Sequence, residues 1–459
     1  MVTAAPAVVI AAPSSGSGKT TVATGLIGAL RAAGHRVAPF KVGPDFIDPG
    51  YHALAAGRPG RNLDPVLVPE GLIAPLYRHG SRDADVAVIE GVMGLFDGRI
   101  DAQPLTPARG STAQVAELLG APVVLVVDAR GQSQSIAALV QGFSGFHRGV
   151  RIGAVILNRV GSARHEQVLR QACEAVGVSV LGAIPRDDEL AVPSRHLGLV
   201  TAVEHGEAAL AAVAAMTALI ARHVDLAAVI GLAGSRVTAE GWSPDAVIGE
   251  PVAGRPVVAV AAGRAFSFGY AEHRELLAAA GAEVAEFDPL TEPLPPDSTG
   301  LILPGGFPEQ HLETLSANAE LREQVCRLAA RAPVHAECGG LAYLMDELDG
   351  HPMCGVLGGT ARFTPWLTLG YRDAVAIADS PLFTTGQRVV GHEFHRTAVE
   401  FSGDREPAWV FHGSDGATVR DGALRAGVHA SYLHTHPAAQ PQSIARFVRC
   451  AGQVTKLGG

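Results

Sequence analysis

Short apolar runs alternate with helical patterns through the first half of the chain, the mark of a parallel sheet joined by crossover helices. The runs are Val8–Ala11, Val37–Lys41, Val86–Ile89, Val123–Val127, Ile152–Leu157 and Val180–Ile184. Each is a candidate buried strand. Helical periodicity fills the gaps, as at Thr20–Ala33, stopped by Gly34, and at Ser133–Gln141. The rhythm fails between about Gly231 and Arg255, where Gly, Pro and Ser collect, and a linker is expected there. It restarts at Val257–Ala261, Glu283–Phe287, Gly300–Leu303 and Pro333–Ala336, with helical patterns at Tyr270–Ala280 and Ala319–Ala330. The last hundred residues read as strand and turn, closing in a short helix near Ser443–Cys450. The expected architecture is α/β throughout: one parallel-sheet domain over 1–235, a linker over 236–254 and a second domain over 255–450.

Composition narrows this picture. A chain of 459 residues suits two or three compact units. With 47% apolar and only 5% aromatic residues, the core must be aliphatic and alanine-rich. A formal charge of −9 and the lack of a basic stripe disfavour nucleic acid and anionic membranes as partners. The five cysteines (Cys173, Cys326, Cys338, Cys354 and Cys450) are odd in number and form no Cys-x-x-Cys pair. That argues against a disulfide framework or structural zinc and for a reducing cytoplasm. Val8–Ala12 has no charged region before it and reads as a strand rather than a signal peptide. The longest apolar run, Ala208–Ala221, is 14 residues, short of a membrane span, and is expected to be a core helix.

Two segments carry chemistry. The first, Pro13-Ser14-Ser15-Gly16-Ser17-Gly18-Lys19-Thr20-Thr21, lies between a strand and a helix, as a phosphate loop requires. Pro13 stands where the first glycine of the Walker pattern belongs. Gly16, Ser17 and Gly18 can bring backbone N–H groups onto phosphate oxygens at a helix N-terminus. Lys19 would reach the terminal phosphates of ATP, Thr21 lies beside them, and the Thr20 hydroxyl would hold Mg²⁺. Asp45 and Glu90 end strands at the edge where such ligands sit, so they are candidate metal or water ligands, or else turn formers and caps. Asn158 is placed to read a base edge through its amide, or to shape a turn. Asp128-Ala129-Arg130 reads as a paired loop.

The second segment is Pro333-Val334-His335-Ala336-Glu337-Cys338-Gly339-Gly340. A thiol at a strand-to-helix elbow is expected to be exposed and biased toward the thiolate by the helix N-terminus. His434, in Ser431-Tyr432-Leu433-His434-Thr435-His436, is the candidate base, with His429 and His436 close in sequence. Gly339 and either Gly305 or Gly306, with Gly306 preferred, would supply oxyanion-hole N–H groups. The other four cysteines are expected to be small buried hydrophobes.

These residues carry a resemblance. The second domain resembles the class I glutamine amidotransferases, of flavodoxin-like fold, in its Pro-Gly-Gly turn, cysteine elbow and late histidine. Most members carry a glutamate two positions after that histidine; His436 stands there here, a departure shared by the cobalamin-pathway amidotransferases. The first domain is similar to the dethiobiotin-synthetase-type phosphate-loop fold. With Lys41–Pro49, Glu90–Gly98 and Gly391–His395, the whole chain resembles the cobyrinic and hydrogenobyrinic acid a,c-diamide synthases. That resemblance implies ATP- and Mg²⁺-dependent amidation of the a and c carboxylates of a corrinoid acid in cobalamin biosynthesis. An acyl phosphate would be the intermediate and L-glutamine the nitrogen source. It also implies that Asp45, Phe46, Ile47, Glu90 and Asp97 lie at the boundary between ATP and corrinoid, and it leaves room for a homodimer. Cobyric acid synthases and the enzymes amidating a nickel tetrapyrrole share this layout; the wording Phe307-Pro308-Glu309 and Ala336-Glu337-Cys338 favours the a,c-diamide branch. A partitioning-type ATPase would need a basic surface and has no use for Cys338 with His434. A glutamine sensor would lack turnover.

Overall fold

The computed structural model describes residues 4–101, 106–186, 201–403, 405–413 and 416–457. The chain divides into two compact units, Met1–Trp242 and Ser243–Gly459.

In the first unit seven strands form one parallel sheet. They are β1 (Ala7–Ala11), β2 (Val37–Val42), β3 (Arg61–Leu63), β4 (Val86–Glu90), β5 (Val123–Asp128), β6 (Ile152–Val160) and β7 (Ser179–Pro185). Their order is β3-β2-β4-β1-β5-β6-β7. β1, β2 and β4 are buried along their whole length, which is why they read as continuous rather than alternating apolar runs. β3 is three residues long, too short for any periodicity to show. Helix α1 (Lys19–Ala32) follows β1, and α2 (Asp48–Ala56) follows β2. The longest apolar run falls in helix Glu207–His223, which buries a stripe of Ala209, Ala212, Val213, Met216, Leu219 and Ile220. Among the described residues no helix is long and apolar enough to cross a membrane.

In the second unit a six-stranded sheet carries the cysteine elbow. β8 (Val257–Ala261), β9 (Glu283–Phe287), β10 (Ser298–Leu303) and β11 (Val334–Glu337) are parallel. After them come β12 (Glu347–Leu348), β13 (His351–Pro352), β14 (Gly359–Ala376), β15 (Arg388–Phe401), β16 (Trp409–His412), β17 (Thr418–Asp421), β18 (Ala423–Arg425), β19 (Val428–Ser431) and β20 (His434–Thr435). The sheet order is β18-β19-β11-β10-β8-β9, while β14 and β15 form a long hairpin in a second sheet that ends on β20. Leu301, Leu303, Val334, Ala336, Leu341 and Tyr343 sit in the aliphatic core under the elbow. The closing helix runs from Pro441 to Leu457, longer than the short helix expected, and buries Ile444, Phe447, Val448 and Ala451 on one face. Cys173 and Cys354 are buried as expected, but Cys326 is exposed and Cys450 half-buried. Cys326 falls off the stripe of Leu321, Val325, Leu328 and Ala329 that its helix turns inward.

Candidate active sites

The first site forms where β1 turns into α1. Gly16 and Gly18 take left-handed backbone angles, φ 77° and 97°, which open the loop around its own N–H groups. Gly18 is required for a second reason: a Cβ there would strike the side-chain amide of Asn158. That amide donates to the Ser17 carbonyl at 2.9 Å, and Asn158 Oδ1 accepts the Arg159 N–H at 2.9 Å. The Nδ2 end of the amide thus braces the loop, while Oδ1 is taken up by the neighbouring backbone of β6. Arg159 works beside it, donating from Nη1 to the Gly16 carbonyl at 3.0 Å and pairing with Asp128 at 2.6 Å. Asp128 also holds Arg130, the paired loop expected there.

Carboxylates crowd the mouth of this loop. The Thr20 hydroxyl donates to Glu90 Oε1 at 2.6 Å and lies 3.5 Å from Asp48 Oδ2. Lys19 Nζ donates to the Met93 carbonyl at 2.6 Å and the Ser14 carbonyl at 3.3 Å. Buried Lys41 donates to the Gly91 carbonyl at 3.0 Å and lies 3.7 Å from Asp48 and 4.0 Å from Asp45. His52, from α2, meets Glu90 Oε2 at 2.7 Å, with both side chains buried. Asp45 Oδ1 accepts the N–H groups of Ile47 and Asp48, fixing the turn that carries Phe46. Asp97 Oδ2 accepts the Gly94 N–H at 2.9 Å and so closes the turn after β4.

The charges act on one another strongly. Burial pulls the Lys19 ammonium down to about 8, against the opposing pull of Glu90. Burial alone would raise Glu90, yet Lys41, His52 and the Thr20 hydroxyl hold it at about 2. Burial and the neighbouring Asp45 and Glu90 carboxylates push Asp48 well above its usual range. Two acids beside one hydroxyl, Glu90 and Asp48 at Thr20, suit a divalent cation. Among the described residues no group of three His, Cys, Asp or Glu side chains makes a complete metal cage. Mg²⁺ needs none, because it takes one or two carboxylates and completes its shell with phosphate oxygens and water. Hard oxygen donors at Thr20, Glu90 and Asp48 fit that ion. Asp48, His52 and Lys41 were not singled out by the sequence, although Asp48 and His52 are four apart on one face of α2.

The second site forms where β11 turns into helix Gly339–Leu344. Cys338 occupies the turn with φ 50° and ψ −103°, a strained setting for a residue with a Cβ. Its N–H donates to the Ser431 carbonyl at 2.8 Å, and its thiol lies 3.7 Å from the Phe394 carbonyl. The expected exposure and thiolate character are both corrected. Cys338 is 3% exposed, and burial pushes the thiol up, reinforced by the Glu309 carboxylate. The Gly339 N–H opposes this, but burial outweighs it. A base must therefore take the proton.

His434 is fully buried. Its Nδ1 is 3.4 Å from Glu337 Oε2, on the residue just before the nucleophile. Glu337 Oε1 accepts from the Thr435 N–H at 3.2 Å and the Thr435 hydroxyl at 3.3 Å, and His335 Nε2 is 3.3 Å away. His436 turns elsewhere: its Nδ1 accepts the Ala438 N–H, and its ring lies 4.3 Å from that of Tyr270. His429 is buried against Trp409 and Phe383. A Cβ on Gly339 would sit 3.1 Å from the Gly306 nitrogen, so these two glycine backbones lie side by side. A Cβ on Gly305 would come within 2.5 Å of His434 Cε1. Gly305→Ala is accordingly expected to displace the imidazole and cut glutamine hydrolysis by about 10²–10⁴-fold, the weight of a general base. A rate near the parental one would show that His434 is not the base.

Comparison with known proteins agrees with this division. Residues 8–200 match the CobQ/CobB/MinD/ParA nucleotide binding domain family, and residues 257–442 match the CobB/CobQ-like glutamine amidotransferase domain family. Fold and sites thus define an amidotransferase with its own nucleotide-binding domain. Hydrogenobyrinate a,c-diamide synthase of Mycobacterium tuberculosis is 69% identical over 443 residues, covering 96% of this chain and 97% of that protein. The Streptomyces coelicolor protein of the same name is 54% identical, covering 97% of this chain and 98% of its own length. Cobyrinate a,c-diamide synthase of Gloeobacter violaceus is 42% identical, with 96% of each chain covered. The chain belongs to the hydrogenobyrinate and cobyrinate a,c-diamide synthase family.

Proposed function

We propose that this protein amidates the a and c carboxylates of hydrogenobyrinic or cobyrinic acid in the cytoplasm, using ATP and glutamine. The observation that carries the reading is a phosphate loop with an acid-ringed threonine and a buried cysteine elbow in one chain of this family. A carboxylate resists ammonia because oxide is a poor leaving group. Transfer of the γ-phosphoryl of ATP onto the substrate carboxylate gives an acyl phosphate, from which phosphate leaves. Lys19 neutralises charge on the transferring group, and the loop N–H groups hold the phosphates in line. Thr20, Glu90 and Asp48 would hold Mg²⁺, whose charge supports the same transfer. Asp45, Phe46, Ile47 and Asp97 border the mouth of this loop and receive the acid.

At the elbow, Cys338 Sγ bonds to the glutamine amide carbon while the C–N bond breaks. The thiol proton passes through His434 to the departing nitrogen, which leaves as ammonia. Gly306 and Gly339 N–H groups hold the oxyanion. Water then cleaves the thioester and restores the thiol. The negative field of Glu309 and Glu393 around Cys338 suits the α-ammonium group of glutamine.

Incubating the enzyme with ATP, Mg²⁺, glutamine and either the metal-free or the cobalt-containing acid tests the proposal. Mass readout should show two amides added with ATP consumed; amidation without ATP turnover overturns it. A pH series adds a check on Lys19, whose neutral form grows above pH about 8. ATP affinity should weaken by up to about tenfold per pH unit above that point, because the charged form makes the contact. A dissociation constant that stays flat to pH ~9.5 would rule out a lysine with this shift.

A further inference from the structure

The glutamine-cleaving centre needs something to fix the tautomer of His434, and position 436 does not provide an acid. We propose that Glu337, the residue preceding the nucleophile, is the positioning carboxylate that orients His434 toward Cys338. The inference rests on the reading of the elbow as a glutaminase and deepens it.

The geometry is specific. Glu337 Oε2 faces His434 Nδ1 at 3.4 Å, so a proton on Nδ1 is held there and Nε2 is left as the base. The other oxygen, Oε1, is anchored by both donors of Thr435, the residue next to His434. One carboxylate therefore locks the strand end that carries the imidazole and also faces its ring. Chain direction makes this available. In a regular strand Glu337 and Cys338 would point to opposite faces. The left-handed φ at Cys338 breaks that alternation, and the β11–β19 register sets Glu337 against Ser431, three residues before His434.

Electrostatics support the role. Burial pushes the Glu337 carboxyl up, but His335 and His434 outweigh it and hold the group well below the usual carboxylate range. A fixed anion at Nδ1 stabilises the imidazolium that forms when the thiol is deprotonated. His436, meanwhile, caps the turn Pro437–Ala439 through Nδ1.

Glu337→Gln keeps an acceptor oxygen for Thr435 and removes the charge. Its kcat for glutamine hydrolysis should fall by about 10²–10⁴-fold, as for loss of an orienting acid. The KM for glutamine and the ammonia-dependent amidation rate should stay at parental values. A parental kcat overturns the assignment, and so does a rise in KM with kcat unchanged. If Glu337→Gln fails to fold, Glu337→Asp takes its place. There the anion is kept but drawn back from a contact already 3.4 Å long. Its glutamine-dependent kcat should drop about tenfold with ammonia-dependent turnover intact, and a parental kcat again overturns the proposal. Failure of the wider glutaminase reading looks different: Cys338→Ala would still hydrolyse glutamine.

Discussion

Cys338→Ala should abolish glutamine-dependent amidation, by about 10⁴-fold or more, since without the sulfur no thioester forms. The same protein supplied with ammonium salt should amidate the corrinoid acid at close to the parental rate. The reason lies in the separate construction of the two sites. Glu337 ends β11, Cys338 follows it and His434 opens β20, all in the second unit, while Lys19 and Thr20 on α1 and Glu90 on β4 belong to the first. No residue is common to both. Steady-state rates with each nitrogen source decide the matter. If both activities vanish in a folded protein, the division of labour is wrong.

Lys19→Ala should give the complementary result, with amidation lost for glutamine and ammonia alike. Removing a cation aimed at a transferring phosphoryl group costs about 10²–10³-fold for one stabilising contact, and more where it also positions the nucleotide. A second effect adds to this. Lys19 joins the loop to the Met93 carbonyl, so its loss also frees the turn that Asp97 closes. Glutamine hydrolysis at Cys338 should survive. Retention of ATP-dependent amidation in this variant would reject Lys19 as the phosphate ligand.

Much of this architecture could be read from the residues because burial on both faces writes a parallel strand as an unbroken apolar run. β8 runs from Val257 to Ala261, the very segment expected, with all but its first residue buried. The phosphate loop and the elbow were legible for a similar reason: glycines and a reactive side chain must stand together in sequence to work. What stayed hidden depends on pairing across long stretches of chain. Glu337 reaches His434 over 97 positions, and Asn158 reaches Ser17 over 141. Neither partner leaves a local trace. The protonation of Cys338 was misjudged because a helix N-terminus is visible in sequence, whereas Glu309 and the depth of the crevice are not. His52 left a faint signal, one helical turn beyond Asp48.

An idle nucleophile kept as a neutral thiol in a closed crevice has a bearing on survival under oxidative stress. Peroxide and electrophiles consume the deprotonated sulfur at accessible sites. Cys338 is 3% exposed and burial disfavours its thiolate, whereas Cys326 lies open on a helix surface. An oxidant reaching the resting enzyme should therefore spend itself on a sulfur without catalytic duty, leaving nitrogen transfer intact.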